Sequence, residues 1–522
     1  MKSERKNLSF FTYKCYYIIE AGDKMKKIIS FITIIFSAFI LSCCNNINIE
    51  NTNNSSETEN LLPENTTINN TTEIDNQENP IEEEETIDYS NAIFASPNGS
   101  GIGTKEDPTS ILDGISRLSI NKNILYLYGG TYNLNKSIIL TKAGDKDTML
   151  KIESFKDEKV TLDFGKDYRK EQIIDGNYNN ELYKGIVIKA PYYHIKGIKI
   201  TNCGSHGMQI RGNYNIIEDC IFAYNGNTGL NISSGDKVSV SDRYHDNLVL
   251  NCTSYGNYDW NRSTDQGEDS DGFSCNLTSG INNVFDGCMS FFNSDDGWDL
   301  FTKQKTGKIG SVTIKNCVAF NNGYGINGED LKNGNGFKLG GRAIEVDHYV
   351  YNSIAFNNKA NGFDDNSNPG TITLKNCTAY NNGLRNYAMG RFLDDINTYK
   401  STWYEDGVLV GPIENVPKSH NIFEDCISYI APNTDTFSGI ATNSFFYNKD
   451  DKYYGIKVES SCNSKRQPGP TYNIFNPFES LDIDISNLDD IHYKYRNEDK
   501  TINLKSFLKV KDGYGFGAVL HS

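Results

Sequence analysis

"VFDGCMSFFNSDDGWDL" (residues 284–300) opens with an extended apolar run, passes through Cys288 and reaches Asn293 five residues later. The same layout returns in "IIEDCIFAYNGNTGLNI" (216–232), "LVLNCTSYGN" (248–257), "TIKNCVAFNNG" (313–323), "NSIAFNNKANGF" (352–363) and "TLKNCTAYNNG" (373–383). One column therefore holds Cys220, Cys252, Cys288, Cys317, Ser353 and Cys377. A second holds Asn225, Asn257, Asn293, Asn322, Asn358 and Asn382. Strand-like units that recur with a fixed internal register and variable insertions predict a solenoid. Strand character rather than a helical period makes it all-β, a parallel β-helix. Asparagine tolerates left-handed backbone, and its amide can stack from coil to coil, so the second column predicts a bend carrying an amide ladder. The cysteine column is expected inside, as buried thiols.

A third column follows the glycines of "HGMQI", "TGLNI", "DGFSC", "DGWDL" and "NGFKL". The first and third residues after each glycine are apolar (Met208 and Ile210, Leu230 and Ile232, Phe273 and Cys275, Trp298 and Leu300, Phe337 and Leu339). Strand side chains alternate, so the residue between them should face outward: Gln209, Asn231, Ser274, Asp299 and Lys338. The residue before the glycine forms its own column with Asp271, Asp296 and Asn335. Asp271, Asp295, Asp296 and Asp299 are thus expected to converge on one outward patch, with Lys338 one coil further along the column of Asp299. Two bare carboxylates about 5 Å apart repel by about 3 kcal/mol at an effective dielectric near 20. Hard oxygen donors in an irregular cluster suit Ca²⁺, and the absence of His and Cys from the outward column disfavours zinc or copper. The extra residues 258–268 and 324–334 enter two coils at the same point, one on each side of the aspartate coil. They are expected to make the walls of a groove.

"SDGFS" (270–274), "SDDGWDL" (294–300) and "GNGFKLGG" (334–341), in that order, resemble the family 9 polysaccharide lyases, pectate lyases with a right-handed parallel β-helix; the resemblance spans roughly residues 90 to 515. It implies that Asp271, Asp295, Asp296 and Asp299 hold a catalytic Ca²⁺ and that Lys338 is the base. The chemistry agrees: a uronate has an acidic C5 proton beside its carboxylate, a divalent cation would offset the charge that develops, and an amine would take the proton. Lysine is ordinarily a poor base near neutrality; Ca²⁺, and Arg342 beside it, would lower its pKa, while the carboxylates push the other way. Arg342 in "KLGGR" is a candidate clamp for a substrate carboxylate. Two rivals stand beside the lyase. A glycoside hydrolase would use paired aspartates and leave Lys338 idle, and a calcium-stiffened adhesin would only bind glycans.

The rest of the chain sets the address. Residues 1–24 read as a mis-called start before Met25. Residues 25–43 read as a lipoprotein signal peptide, with "ILSC" placing a lipid on Cys43. Residues 44–88, rich in Asn, Thr and Glu, read as a disordered tether. The β-helix with a C-terminal elaboration is expected over 89–522. In that elaboration the register fades after residue 390, and "FEDCISY" (423–429) suggests one more coil. The expected location is extracytoplasmic, secreted or touching a membrane only through the lipid. With 51 basic and 67 acidic residues, a net charge of −16 excludes a nucleic-acid partner. The expected partner is an acidic polysaccharide, made tolerable to an acidic protein by the metal, and the expected state is a monomer.

Overall fold

The computed structural model describes residues 88–165, 184–233, 239–260, 266–448, 452–457, 460–464, 471–473 and 476–521. The segments expected to be a mis-called start, a signal peptide with Cys43 and a tether lie outside them, up to residue 87.

The repeats stack as a parallel β-helix with three strands per coil. In the coil of Cys288 the first strand is Asn283–Asp286, the second Met289–Phe291 and the third Trp298–Asp299. Each pairs in parallel, residue for residue, with its counterparts one coil before and one coil after. Three ribbons result. Toward the C-terminal end two of them join through Thr436–Thr442, giving a 22-stranded sheet beside a 13-stranded one.

The columns read from sequence hold. The cysteines sit inside, each buried and free. Their thiols lie beside backbone oxygens of the coil, as Cys220 Sγ does to Glu218 O (3.2 Å). The apolar column of the third ribbon stacks face to face, Phe273–Trp298–Phe337–Phe363–Tyr387, with centroids 5.0, 4.8, 4.9 and 5.2 Å apart. The asparagine ladder is continuous. Asn225 Nδ2 donates to Asn257 Oδ1 (3.0 Å), Asn257 to Asn293 (2.7 Å), Asn293 to Asn322 (3.0 Å), Asn322 to Asn358 (2.9 Å) and Asn358 to Asn382 (2.9 Å).

The bend itself falls one residue earlier than expected. Tyr224, Gly256, Phe292, Asn321, Asn357 and Asn381 carry the left-handed φ, between 51° and 64°. The ladder residue must turn its amide inward, so its neighbour makes the corner. Tyr224 and Phe292 do so at a cost of about 1–2 kcal/mol each, offset by the ladder bonds they permit.

The ends are finished differently. The helix Ile111–Arg117, capped by Ser110 Oγ accepting from Asp113 N (3.2 Å), lays Ile111 on the first coils. At the other end Asn421–Glu424, Cys426 and Ile427–Tyr429 form the further coil that "FEDCISY" suggested. Residues 476–521 then return across the outer face of the second ribbon. Ile491, Tyr495, Phe507 and Leu508 cover Tyr255, Phe291, Phe320 and Phe356 there. This covering explains why both faces of the second ribbon are apolar.

Candidate active site

The third ribbon forms the floor of a cleft of about 970 Å³. Its register aligns Gln209, Asn231, Ser274, Asp299, Lys338 and Asp364. These side chains point away from the interior into a walled groove, as expected. Gln209, Asn231, Ser274 and Asp299 are buried, because walls rise on both sides.

One wall differs from expectation. Both insertions rise on the same side, since both enter at the corner between the ladder asparagine and the glycine. They meet over the aspartate coil, where Lys332 Nζ lies 3.6 Å from Glu268 Oε1. The opposite wall comes from segments that follow the third ribbon and carry Phe301, Lys303, Arg342 and Tyr399. Tyr399 belongs to an arm, residues 391–418, built of two antiparallel pairs. Asn397–Tyr399 pairs with Ile413–Val416, and Trp403–Glu405 pairs with Val408–Val410.

Asp271, Asp295 and Asp296 gather in the floor, each offering an oxygen within 4.8 Å of the others. Asp296 N lies 3.3 Å from Asp271 Oδ1, and Asp296 Oδ1 accepts from Asn335 N and Nδ2, both at 2.8 Å. Asp299 stands slightly apart from the three. Its oxygens accept from Asn276 Nδ2 (2.6 Å) and Phe301 N (3.1 Å). Lys338 joins the two groups. Its Nζ is 2.9 Å from Asp296 Oδ2, as a charge contact without the angle of a directed hydrogen bond, and 3.3 Å from Asp299 Oδ1.

Electrostatically the trio is under-neutralised. Burial and the charges of Asp299, Asp295 and Asp296 push the Asp271 carboxyl well above its usual range. Burial and Asp296 do the same to Asp295. Asp296 is raised by burial, with Lys338 opposing. Burial alone would lower Lys338, but the carboxylates, Asp296 and Asp299 first, outweigh it and hold the ammonium well above its usual range. Buried hard oxygens that share one ammonium fit a divalent cation of the calcium type. Among the described residues no thiol lines the cleft, and its one histidine, His206, lies two coils from Asp271.

Arg342 lies in the wall beside Lys338. It and Ala343 hold left-handed φ of 56° and 59° after the Gly340–Gly341 turn. A Cβ at Gly341 would come within 2.4 Å of the Phe301 ring, so only glycine lets the chain pass there. Two residues escaped the sequence reading. Asp364 occupies the column of Lys338 one coil on, and extending the "NGF" register to "NGFDD" would have found it. Trp403, in the arm, lies outside any repeat and left no signal.

Pectate lyase L of Paenibacillus polymyxa (strain SC2) is 39% identical over 306 residues, 57% of this chain and 65% of that protein. Pectate lyase L of Thermoclostridium stercorarium is 37% identical over 309 residues, 58% of this chain and 23% of that one. The chain thus spans less than two thirds of the length of these relatives. The crystal structure of pectate lyase Pel9A superposes with a TM-score of 0.57 at 26% identity, covering 81% of this chain and 89% of the other. A rhamnogalacturonan lyase, 21% identical with the same TM-score, covers 82% and 99% and shares the fold. The family described as "Pel9A-like, right handed beta helix region" matches residues 93–400, so the chain belongs to that right-handed β-helix family.

Proposed function

We propose that the protein is a calcium-dependent polysaccharide lyase that cleaves pectate or a related polyuronate by β-elimination. One observation carries the reading: Lys338 Nζ stands in the cleft floor, 2.9 Å from Asp296, beside three converging carboxylates. Relatives named pectate lyases support it.

Asp271, Asp295 and Asp296, with Asp299 at their side, would hold the ion; when bound, calcium supplies charge neutralisation, for these carboxylates and for a uronate carboxylate alike. Lys338 acts once uncharged, and neutralising Asp296 and Asp299 removes what keeps it charged. Its Nζ then takes the C5 proton of the uronate. The C5–H electron pair becomes the C4=C5 double bond, and the C4–O bond breaks. The leaving oxygen takes a proton from water. Arg342 in the wall holds a second carboxylate of the chain. A glycoside hydrolase reading gives Lys338 no role, although it is the cation at the centre of the acidic floor.

The test is incubation with polygalacturonate, with calcium or with EDTA. A lyase yields a product with the ultraviolet absorbance of a conjugated unsaturated uronide, and EDTA abolishes it. New reducing ends without that absorbance would identify a hydrolase, and binding without product would identify an adhesin. We also propose that the protein is an extracytoplasmic monomer, secreted or anchored by a lipid on Cys43. Mass spectrometry of the mature N-terminus tests the anchor.

A further inference from the structure

Within the lyase reading, on which it rests, the geometry points to Trp403 as a positioning residue: its indole holds the Arg342 guanidinium, so the 391–418 arm sets how tightly an acidic polysaccharide is held. Arg342 and Lys338 are handled differently by the cleft. Lys338 stands between two carboxylates. Arg342 instead has its Cζ 4.4 Å from the centroid of the Trp403 ring and 5.7 Å from that of Phe301. Among the described residues no carboxylate pairs with it, and its Nε is buried without a hydrogen-bond partner. A guanidinium held over aromatic rings rather than by an acid keeps its N–H donors for a planar carboxylate. An acid in place of the rings would have consumed those donors.

The surroundings fix both members of the pair. Arg342 has left-handed backbone, and its carbonyl accepts from Gln304 Nε2 (3.1 Å), while Ala343 N donates to Ser367 O (2.9 Å). Trp403 Nε1 donates to Glu405 Oε1 (2.5 Å). Glu405 is buried, and its other oxygen accepts from Lys305 N, in the loop that follows Asp299. Lys305 also pairs with Asp406 of the arm. Tyr399 presents its edge to Trp403 at 5.9 Å, and Ala343 packs into the small apolar core of the arm with Phe392, Tyr399 and Val416. The arm is therefore tied to the loops on either side of the Arg342 wall, and it meets the guanidinium through the indole.

The experiment is steady-state kinetics on polygalacturonate in saturating calcium with Trp403→Leu, Trp403→Phe, Arg342→Ala and the Trp403→Leu/Arg342→Ala double variant. Leucine keeps apolar packing and removes the π face; phenylalanine keeps a face. Trp403→Leu should raise KM roughly three- to thirty-fold, the range a cation–π contact commands, with kcat within about two-fold of wild type. Trp403→Phe should stay close to wild type, and the double variant should be no worse than Arg342→Ala alone. Equal KM for Trp403→Leu and Trp403→Phe would overturn the inference. So would losses that multiply in the double variant, or a fall in kcat at unchanged KM. Wild-type protein that releases no unsaturated product from any uronate polymer would instead sink the lyase reading, and this inference with it.

Discussion

At the scale of single residues, Asp295 is the most informative member of the acidic trio. Among the described residues nothing donates a hydrogen bond to its carboxylate, and burial together with Asp296 raises its pKa. Asp295→Asn should therefore stabilise the metal-free protein, by about 1–2 kcal/mol once relaxation and screening reduce the bare repulsion. It should also shrink the rise in melting temperature that calcium produces. Thermal denaturation in EDTA and in calcium reads both, and a destabilised Asp295→Asn in EDTA would contradict the repulsion argument. Lys338→Ala should lower kcat by about 10²–10⁴ while calcium still raises the melting temperature. Lys338→Arg should not rescue it, because a guanidinium does not give up its proton. Single-turnover rates and melting curves separate base loss from metal loss. Asp271, Asp296, Asp299 and Lys338 could be read from sequence because each occupies a register that repeats. Asp364 needed one more coil of the same register. Trp403 could not be found that way, because an antiparallel arm breaks the register that locates everything else.

At the scale of elements, the asparagine ladder is the internal brace of the second corner. Asn322 accepts from Asn293 N (3.3 Å) and Nδ2 (3.0 Å), and it donates to Ser290 O (3.1 Å) and Asn358 Oδ1 (2.9 Å). Asn322→Ala leaves the buried Asn293 N without its acceptor and removes the ladder bonds to both adjacent coils, and should cost about 2–4 kcal/mol, seen as a lower urea midpoint at unchanged slope. The C-terminal helix Leu488–Lys494 offers a pH-dependent counterpart. His492 Nε2 pairs with Asp219 Oδ1 (3.0 Å) and its Nδ1 with Thr253 Oγ1 (2.7 Å), while Lys500 Nζ reaches Asp219 Oδ2 (3.1 Å). Burial pushes His492 down to about 4, against the pull of Asp219. Its folded pKa is thus below the free value near 6.5, so its contribution to stability is complete above that pH and lost as pH falls toward about 4. Burial opposes ionisation of Asp219, but His492 and Lys500 hold it below its usual range, which adds a loss of the same sign at lower pH. Segment 476–521 should lose amide-exchange protection before the coils do as pH falls from 7 to 4, and equal protection throughout would refute this. The columns of this architecture were readable because stacking repeats them. One wall was misread because insertions that enter at one point of the coil rise side by side along one edge of the floor, and the facing wall comes from segments outside the repeat that carry Phe301, Lys303, Arg342 and Tyr399.

At the scale of the whole molecule, the stack of coils turns a one-dimensional register into a rigid floor, and the irregular segments dress it. Under the lyase reading, a cation in the floor links chemistry to stability. Calcium at one hundred times its dissociation constant should add about 2.7 kcal/mol by mass action. A melting temperature unmoved by calcium would exclude the trio as its site. The thiol column has a different consequence. The folded coils enclose Cys203, Cys220, Cys252, Cys275, Cys288, Cys317, Cys377, Cys426 and Cys462, and none is bridged. If the proposed extracytoplasmic location holds, oxidants meet these sulfurs only before the coils close, when any two could be joined wrongly. Renaturation yield should therefore depend steeply on added reductant, while the folded protein is indifferent to it; the coil stack is its own antioxidant, and speed of closure is its protection.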